Sequence, residues 1–110
     1  MTFGNFELNS DQYGLIPSHT LHALEQFLSE GQPVGGFLTA VLNNDLKNAI
    51  GRADRENLSA LDQIVKLIYN YFPAFFLREN SVDDYLNQEA RYTLGANGAI
   101  IRVNIKEVAV

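Results

Sequence analysis

From residue 18 onward the apolar positions recur every three to four residues, in runs punctuated by proline, glycine and short polar side chains. Leu21, Leu24, Phe27 and Leu28 predict a first helix that begins at Pro17 or Ser18 and is stopped by Gly31. Gln32-Pro33-Val34-Gly35 then makes a short connection. Phe37, Leu38, Val41, Leu42, Leu46, Ala49 and Ile50 predict a second helix from Gly36 to about Gly51. A third, from Asp54 to Phe72, carries Leu58, Leu61, Ile64, Val65, Ile68 and Phe72 on one stripe, with Asp54 as N-cap and Pro73 as terminator. The second and third helices are joined closely enough to fold back as an antiparallel hairpin. "SVDDYLNQEA" predicts a shorter fourth helix, with Ser81 and Asp84 spaced as a capping box and Val82, Tyr85 and Leu86 facing inward.

The tail changes period. In "ARYTLGANGAIIRVNI" the pair Asn97-Gly98 lies between two runs of β-type residues and predicts a hairpin with a two-residue type I′ loop. In that register Leu94 faces Ile101, Tyr92 faces Val103 and Thr93 faces Arg102, so one face is apolar and the other polar. A lone two-stranded hairpin is marginally stable, so its apolar face must cover the helices or gain a third strand, for which "FGNFELN" near the start is the candidate. The expected fold is α+β and mainly α. It is an antiparallel helical hairpin with one or two further short helices and a C-terminal β-hairpin. One domain is expected over residues 1–110, with a helical core at 16–90 and the β-hairpin at 91–105.

Composition agrees with a single folding unit. At 110 residues roughly two-thirds of the unfolded surface can be buried, and 46% hydrophobic with 19% charged residues lies in the globular range. The chain has no cysteine, which removes thiolate chemistry and any need for an oxidising compartment. "MTFGNFELNS" lacks the basic and apolar regions of a signal peptide, and no apolar run reaches membrane-spanning length. The expected compartment is the cytoplasm, without membrane association.

Charge is distributed unevenly. Residues 1–46 carry Glu7, Asp11, Glu25, Glu30 and Asp45 and no Lys or Arg, and the net charge of the whole chain is −5. Direct nucleic-acid binding is disfavoured, because it draws its affinity from clustered basic side chains. A basic protein partner suits this portion better, and a merely solubilising acidic surface is the plainer alternative.

The second helix contains the chain's least ordinary pattern. In projection Asp45 falls inside its apolar face, and Asn48 and Arg52 run along the edge of it. A carboxylate there must be paired or hydrogen-bonded, because leaving it unpartnered out of water costs several kcal/mol. Arg52 is the natural partner if the helix continues through Gly51. Two readings stay open: a network that specifies the fold, with Asp45 capping a neighbouring helix, or a polar groove where Asn44, Asp45, Asn48, Arg52 and Arg55 meet a ligand or partner. No nucleophile or second acid is placed beside Asp45 for catalysis, so no enzyme is expected.

The remaining candidates are weaker. His19 and His22, three apart, suggest solvated surface residues rather than a metal site, since no further ligands are evident, and no cofactor is expected. Gly35-Gly36 lacks the preceding strand and following Lys of a phosphate loop. "YNYFPAFF" holds Tyr69, Tyr71, Phe72, Phe75 and Phe76, more aromatics than one helix face can bury. They form core, or else an aromatic contact surface for a dimer or a protein partner.

The block "GGFLTAVLNNDL", followed by "AIGRADREN" and an aromatic-rich helix ending in proline, resembles small uncharacterised proteins of bacteriophages, prophages and other mobile elements. The resemblance covers about residues 15–73. It implies a mobile-element setting in a bacterial host cell, where small phage proteins often block host immunity by binding a component or a signal molecule. The expectation is a non-enzymatic interaction protein, an anti-CRISPR-like counter-defence inhibitor that binds a host protein; a homodimer is left open. The alternative is a small-ligand binder that sequesters a nucleotide-type signal with Asn48, Arg52, Arg55, Tyr69 and Tyr71.

Overall fold

The computed structural model describes residues 1–103; residues 104 and 105, the expected end of the β-hairpin, lie outside the described residues. The fold is α+β and mainly α. Strands β1 (Thr2–Phe3) and β2 (Phe6–Glu7) are followed by helices α1 (Ser10–Tyr13), α2 (Ser18–Glu30), α3 (Gly36–Leu42), α4 (Leu46–Arg52), α5 (Arg55–Ser59) and α6 (Leu61–Tyr71). A 3-10 turn (Ala74–Leu77), helix α7 (Ser81–Asn87) and strands β3 (Tyr92–Leu94) and β4 (Ile100–Arg102) complete it.

Helix α2 forms as its periodicity dictates. Thr20, Leu21, Leu24, Phe27 and Leu28 are buried, and Gly31 ends it in the left-handed conformation at φ 71°, donating to Phe27 O at 3.0 Å. A side chain at Gly31 would also run into the Arg91 guanidinium, whose Nε is 2.6 Å from where a Cβ would sit. Arg91 in turn closes the far end of α7, donating to Tyr85 O, Leu86 O, Gln88 O and Ala90 O.

The second and third predicted helices are each divided. The chain reverses at Asn43-Asn44-Asp45, so the span from Gly36 to Gly51 becomes α3 and α4. Arg52, at the end of α4, lies over Gly36 at the start of α3, which makes these two short helices the antiparallel pair. The span from Asp54 to Phe72 is interrupted at Ala60, where the backbone opens to φ −102°, ψ 6°. The phase of α5 is set by a polar anchor: buried Asn57 accepts from Thr20 Oγ1 at 2.7 Å. That turns Leu58 outward, at 47% exposure, where an unbroken stripe would have buried it. In α6 the buried residues are Ile64, Leu67 and Ile68, and Val65 is 46% exposed.

Pro73 ends α6, and the 3-10 turn that follows swings Phe76 into the core. There it meets Phe27 (5.8 Å between centroids), Phe72 (5.6 Å) and Tyr85 (4.9 Å). Two of these aromatics are covered by the N-terminal hairpin, Phe3 packing on Phe72 (5.7 Å) and Phe6 on Tyr71 (5.0 Å), while Tyr69 stays exposed.

Both hairpins depart from expectation. β1 and β2 pair with each other, so the first residues form a separate two-stranded sheet rather than a third strand of the C-terminal one. A backbone bond, Asn5 N to Leu94 O at 2.9 Å, links the two hairpins. In the C-terminal hairpin Tyr92 pairs with Arg102, Thr93 with Ile101 and Leu94 with Ile100, one residue away from the expected register. The cause is the loop. Gly98 alone takes positive φ, at 83°, and Gly95 bonds across to Ala99, so Ala96, Asn97 and Gly98 make a three-residue loop closed by a left-handed glycine. Leu94 is therefore fully buried, whereas Ile100 and Ile101 on β4 are 40% and 44% exposed.

Candidate functional site

The three residues Asn43-Asn44-Asp45 make two helix ends at once. Asn44 takes φ 60° as the left-handed residue after α3; Asp45 N donates to Ala40 O at 2.8 Å and Asn44 N to Val41 O at 3.1 Å, the two bonds of a Schellman ending. Asparagine tolerates this conformation better than other side chains bearing a Cβ. Asn44 Nδ2 then reaches Phe76 O at 3.2 Å and Arg78 O at 2.7 Å, and Asn43 Oδ1 accepts from Val82 N at 2.8 Å in the first turn of α7. Ser81 Oγ donates to Leu42 O, one of the carbonyls that the end of α3 leaves without a helical partner. Ser81 is thus the first residue of α7 and not its N-cap; that position belongs to Asn80, at φ 55°, and the capping box with Asp84 does not form.

Asp45 is the N-cap of α4, accepting from Asn48 Nδ2 at 2.7 Å and from Asn48 N at 3.4 Å. It is exposed rather than set in an apolar face, because the turn ends the helix on which that projection was drawn. It does not pair with Arg52. Asp45 and Arg52 stand at opposite ends of α4, on the order of 10 Å apart along its axis, and among the described residues the ion pairs are Met1 N–Glu7 and Arg78–Asp84. Asp45→Ala is expected to lower the unfolding free energy by about 1 kcal/mol, as loss of an N-cap does, which urea denaturation would measure.

The remaining candidates do not converge either. Arg55 is exposed at the start of α5, next to the N-cap Asp54. Tyr69 is 70% exposed, whereas Tyr71 is half-buried against Phe6 and Tyr13. Burial and the neighbouring Tyr13 hydroxyl hold the Tyr71 hydroxyl above its usual pKa. His19 and His22 are exposed, and among the described residues no three His, Asp or Glu side chains gather as a metal site would require.

What the fold does assemble beside the turn is apolar. A groove of about 140 Å³ is lined by Ala40, Val41, Leu46, Ala49, Leu61 and Val65, with Asn44 and Asp45 at its polar edge. Ile50 and Tyr69, each one helical turn on from a lining residue, are exposed as well. Leu46 is 64% exposed and Ile50 47%. Sequence periodicity assigned Leu46, Ile50 and Val65 to the core. The signal against that assignment was the Asn-Asn-Asp turn, which resets the helical phase, and no residue pattern marked the break at Ala60. Comparison with family models, curated proteins and solved structures found no match.

Proposed function

We propose that this chain is a small non-enzymatic interaction protein of phage or mobile-element type. It acts in the bacterial cytoplasm as a counter-defence inhibitor that binds a host protein. The observation that carries the protein-binding part is the apolar groove between α4 and α6, with Leu46 and Val65 in its lining exposed at 64% and 46%. Contiguous apolar surface of this kind marks interaction sites, because leaving it in water forgoes burial worth about 25 cal/mol per Å². Asn44 and Asp45 beside it spend their hydrogen bonds on the 3-10 turn and on the start of α4, which leaves the apolar surface as the main contact this site offers a partner. The mobile-element setting draws its support from the resemblance over residues 15–73.

The small-ligand reading has less behind it. Pockets that hold drug-sized molecules measure about 300–1,000 Å³, against about 140 Å³ for this groove. Arg52 and Arg55, the cations that would meet a nucleotide's phosphates, do not line it. No helix of the described residues is long and apolar enough to cross a membrane.

The test is capture of host protein by immobilised wild-type chain and by the Leu46→Asp variant. Leu46 is 64% exposed, so the substitution leaves the core intact, and a charge at the groove mouth is expected to abolish capture at physiological salt. Equal capture by both chains would remove this face from the function.

A further inference from the structure

The two polar residues that line the groove between α4 and α6 have no donor left to give. Asn44 N donates to Val41 O and Asn44 Nδ2 to Phe76 O and Arg78 O, while Asp45 N donates to Ala40 O. What they keep is acceptors: the Asn44 Oδ1 and the Asp45 carboxylate. That carboxylate takes one bond from Asn48 Nδ2 and one from Asn48 N, and its lone pairs leave room for about two more. Of the described residues that line the groove, Asp45 alone is charged. Lys47 and Lys66, next in sequence to Leu46 and Val65, do not line it, and Asp45 belongs to neither ion pair among the described residues. The net charge of −5 draws positive charge toward the chain as a whole.

The apolar lining sets the size of the occupant. A cavity of about 150 Å³ lined by aliphatic and aromatic side chains takes a benzene ring, and this groove measures about 140 Å³ between Ala40, Val41, Leu46, Ala49, Leu61 and Val65. It holds one ring or one branched aliphatic side chain.

We infer that the groove seats a single Phe- or Leu-sized side chain of a basic host-protein segment, with a Lys or Arg of that segment on the Asp45 carboxylate. The inference rests on the reading of this groove as protein-binding and adds the chemistry of the partner. Burial of the apolar side chain supplies affinity, and the charge supplies selection. An ammonium or guanidinium brings donors to an edge rich in acceptors, whereas a carboxylate there would face Asp45 and meet no donor from it or from Asn44.

Three probes that share a phenyl ring separate these contributions: phenethylamine, phenethyl alcohol and hydrocinnamate, titrated into the isotope-labelled full chain and followed by amide chemical shifts. Entry of the ring is expected to move the amides of Ala49 and Val65. At low ionic strength the amine is expected to bind about 2- to 5-fold more tightly than the alcohol, the range of a solvent-exposed ion pair, and hydrocinnamate less tightly than the alcohol. The advantage of the amine should vanish at about 1 M salt, where charges are screened over about 3 Å. Asp45→Asn removes the charge and keeps an N-cap residue as good as aspartate, so its melting temperature should match wild type while amine and alcohol bind alike. Amides of Ala49 and Val65 that no probe moves, an alcohol or hydrocinnamate that binds as well as the amine, or an amine advantage that survives Asp45→Asn would each overturn the proposal. Capture of host protein reads the underlying function separately. Capture lost on Leu46→Asp, with probes indifferent to charge, leaves a protein-binding groove without a basic partner; equal capture by wild type and Leu46→Asp sinks both readings.

Discussion

Tyr85→Ala is expected to lower the unfolding free energy by about 3–5 kcal/mol, and Tyr85→Phe by about 1–3 kcal/mol, in urea titrations at neutral pH. Tyr85 is fully buried among Phe27 (5.2 Å), Phe75 (5.9 Å) and Phe76 (4.9 Å), with the Arg91 guanidinium 5.0 Å from its ring centre. Its hydroxyl donates to Leu28 O at 2.5 Å, a carbonyl in the last turn of α2. The phenylalanine variant keeps the ring and strands that acceptor in the core; the alanine variant also opens a cavity. Since domains of this size are held by about 5–15 kcal/mol in total, the alanine substitution should remove a large share of the fold's stability and lower its melting temperature markedly.

The same residue sets an alkaline limit. Burial pushes the Tyr85 hydroxyl from 10.0 up to about 12, the opposing pull of Arg91 being the smaller influence. A pKa higher in the folded than in the unfolded chain means the stabilisation is intact below pH 10 and is lost as pH rises from there through about 12. Tyr71 adds a slope of the same sign, its hydroxyl also being raised. The informative quantity is therefore the difference between wild type and Tyr85→Phe, which should shrink across that interval.

The second large effect is expected at Asn44. Alanine there meets the left-handed backbone at a cost of at least about 1 kcal/mol and gives up the bonds to Phe76 O and Arg78 O, each worth up to about 1 kcal/mol. Asn44→Ala should therefore cost about 2 kcal/mol or somewhat more. Asn44→Gly relieves the backbone and still lacks the side chain, so its stability should fall between wild type and alanine. Equal losses for glycine and alanine would assign the whole effect to the side-chain bonds. An unaffected glycine variant would assign it to the backbone.

How far the chain could be read in advance differs from element to element. Helix α2 was legible from end to end, since Leu21, Leu24, Phe27 and Leu28 are both periodic and buried and Gly31 stops the helix where glycine should. The inward positions Val82 and Tyr85 of α7 were equally plain. Periodicity failed where a polar side chain, and not an apolar one, sets the orientation of a short segment. Asn43, Asn44 and Asp45 looked like interruptions of one helix because Leu42 and Leu46 keep helical spacing across them. Their partners, Phe76 O, Arg78 O and Val82 N, are over thirty residues away and leave no local trace.

Asn57 repeats the lesson, its bond to Thr20 fixing the direction of α5. In the tail the Asn97-Gly98 pair did announce a turn. Its register was decided by one more loop residue, and a Cβ on Gly98 would come within 3.1 Å of the Phe6 ring. Of the polar stripe expected from Asp45, Asn48 and Arg52, the first two are hydrogen-bonded to each other at the start of α4, while Arg52 stands at its other end. The apolar groove beside them was hidden, because exposure of Leu46, Ile50 and Val65 depends on breaks that periodicity does not register.

The amino-terminal hairpin is held by groups remote in the chain: Gly4 N donates to the Glu25 carboxylate, Asn5 N to Leu94 O, and Phe3 rests on Phe72. Closing so long a loop is entropically costly before its contacts reward it. The two-stranded sheet of residues 2–7 therefore depends on α2, β3 and the end of α6 all being in place.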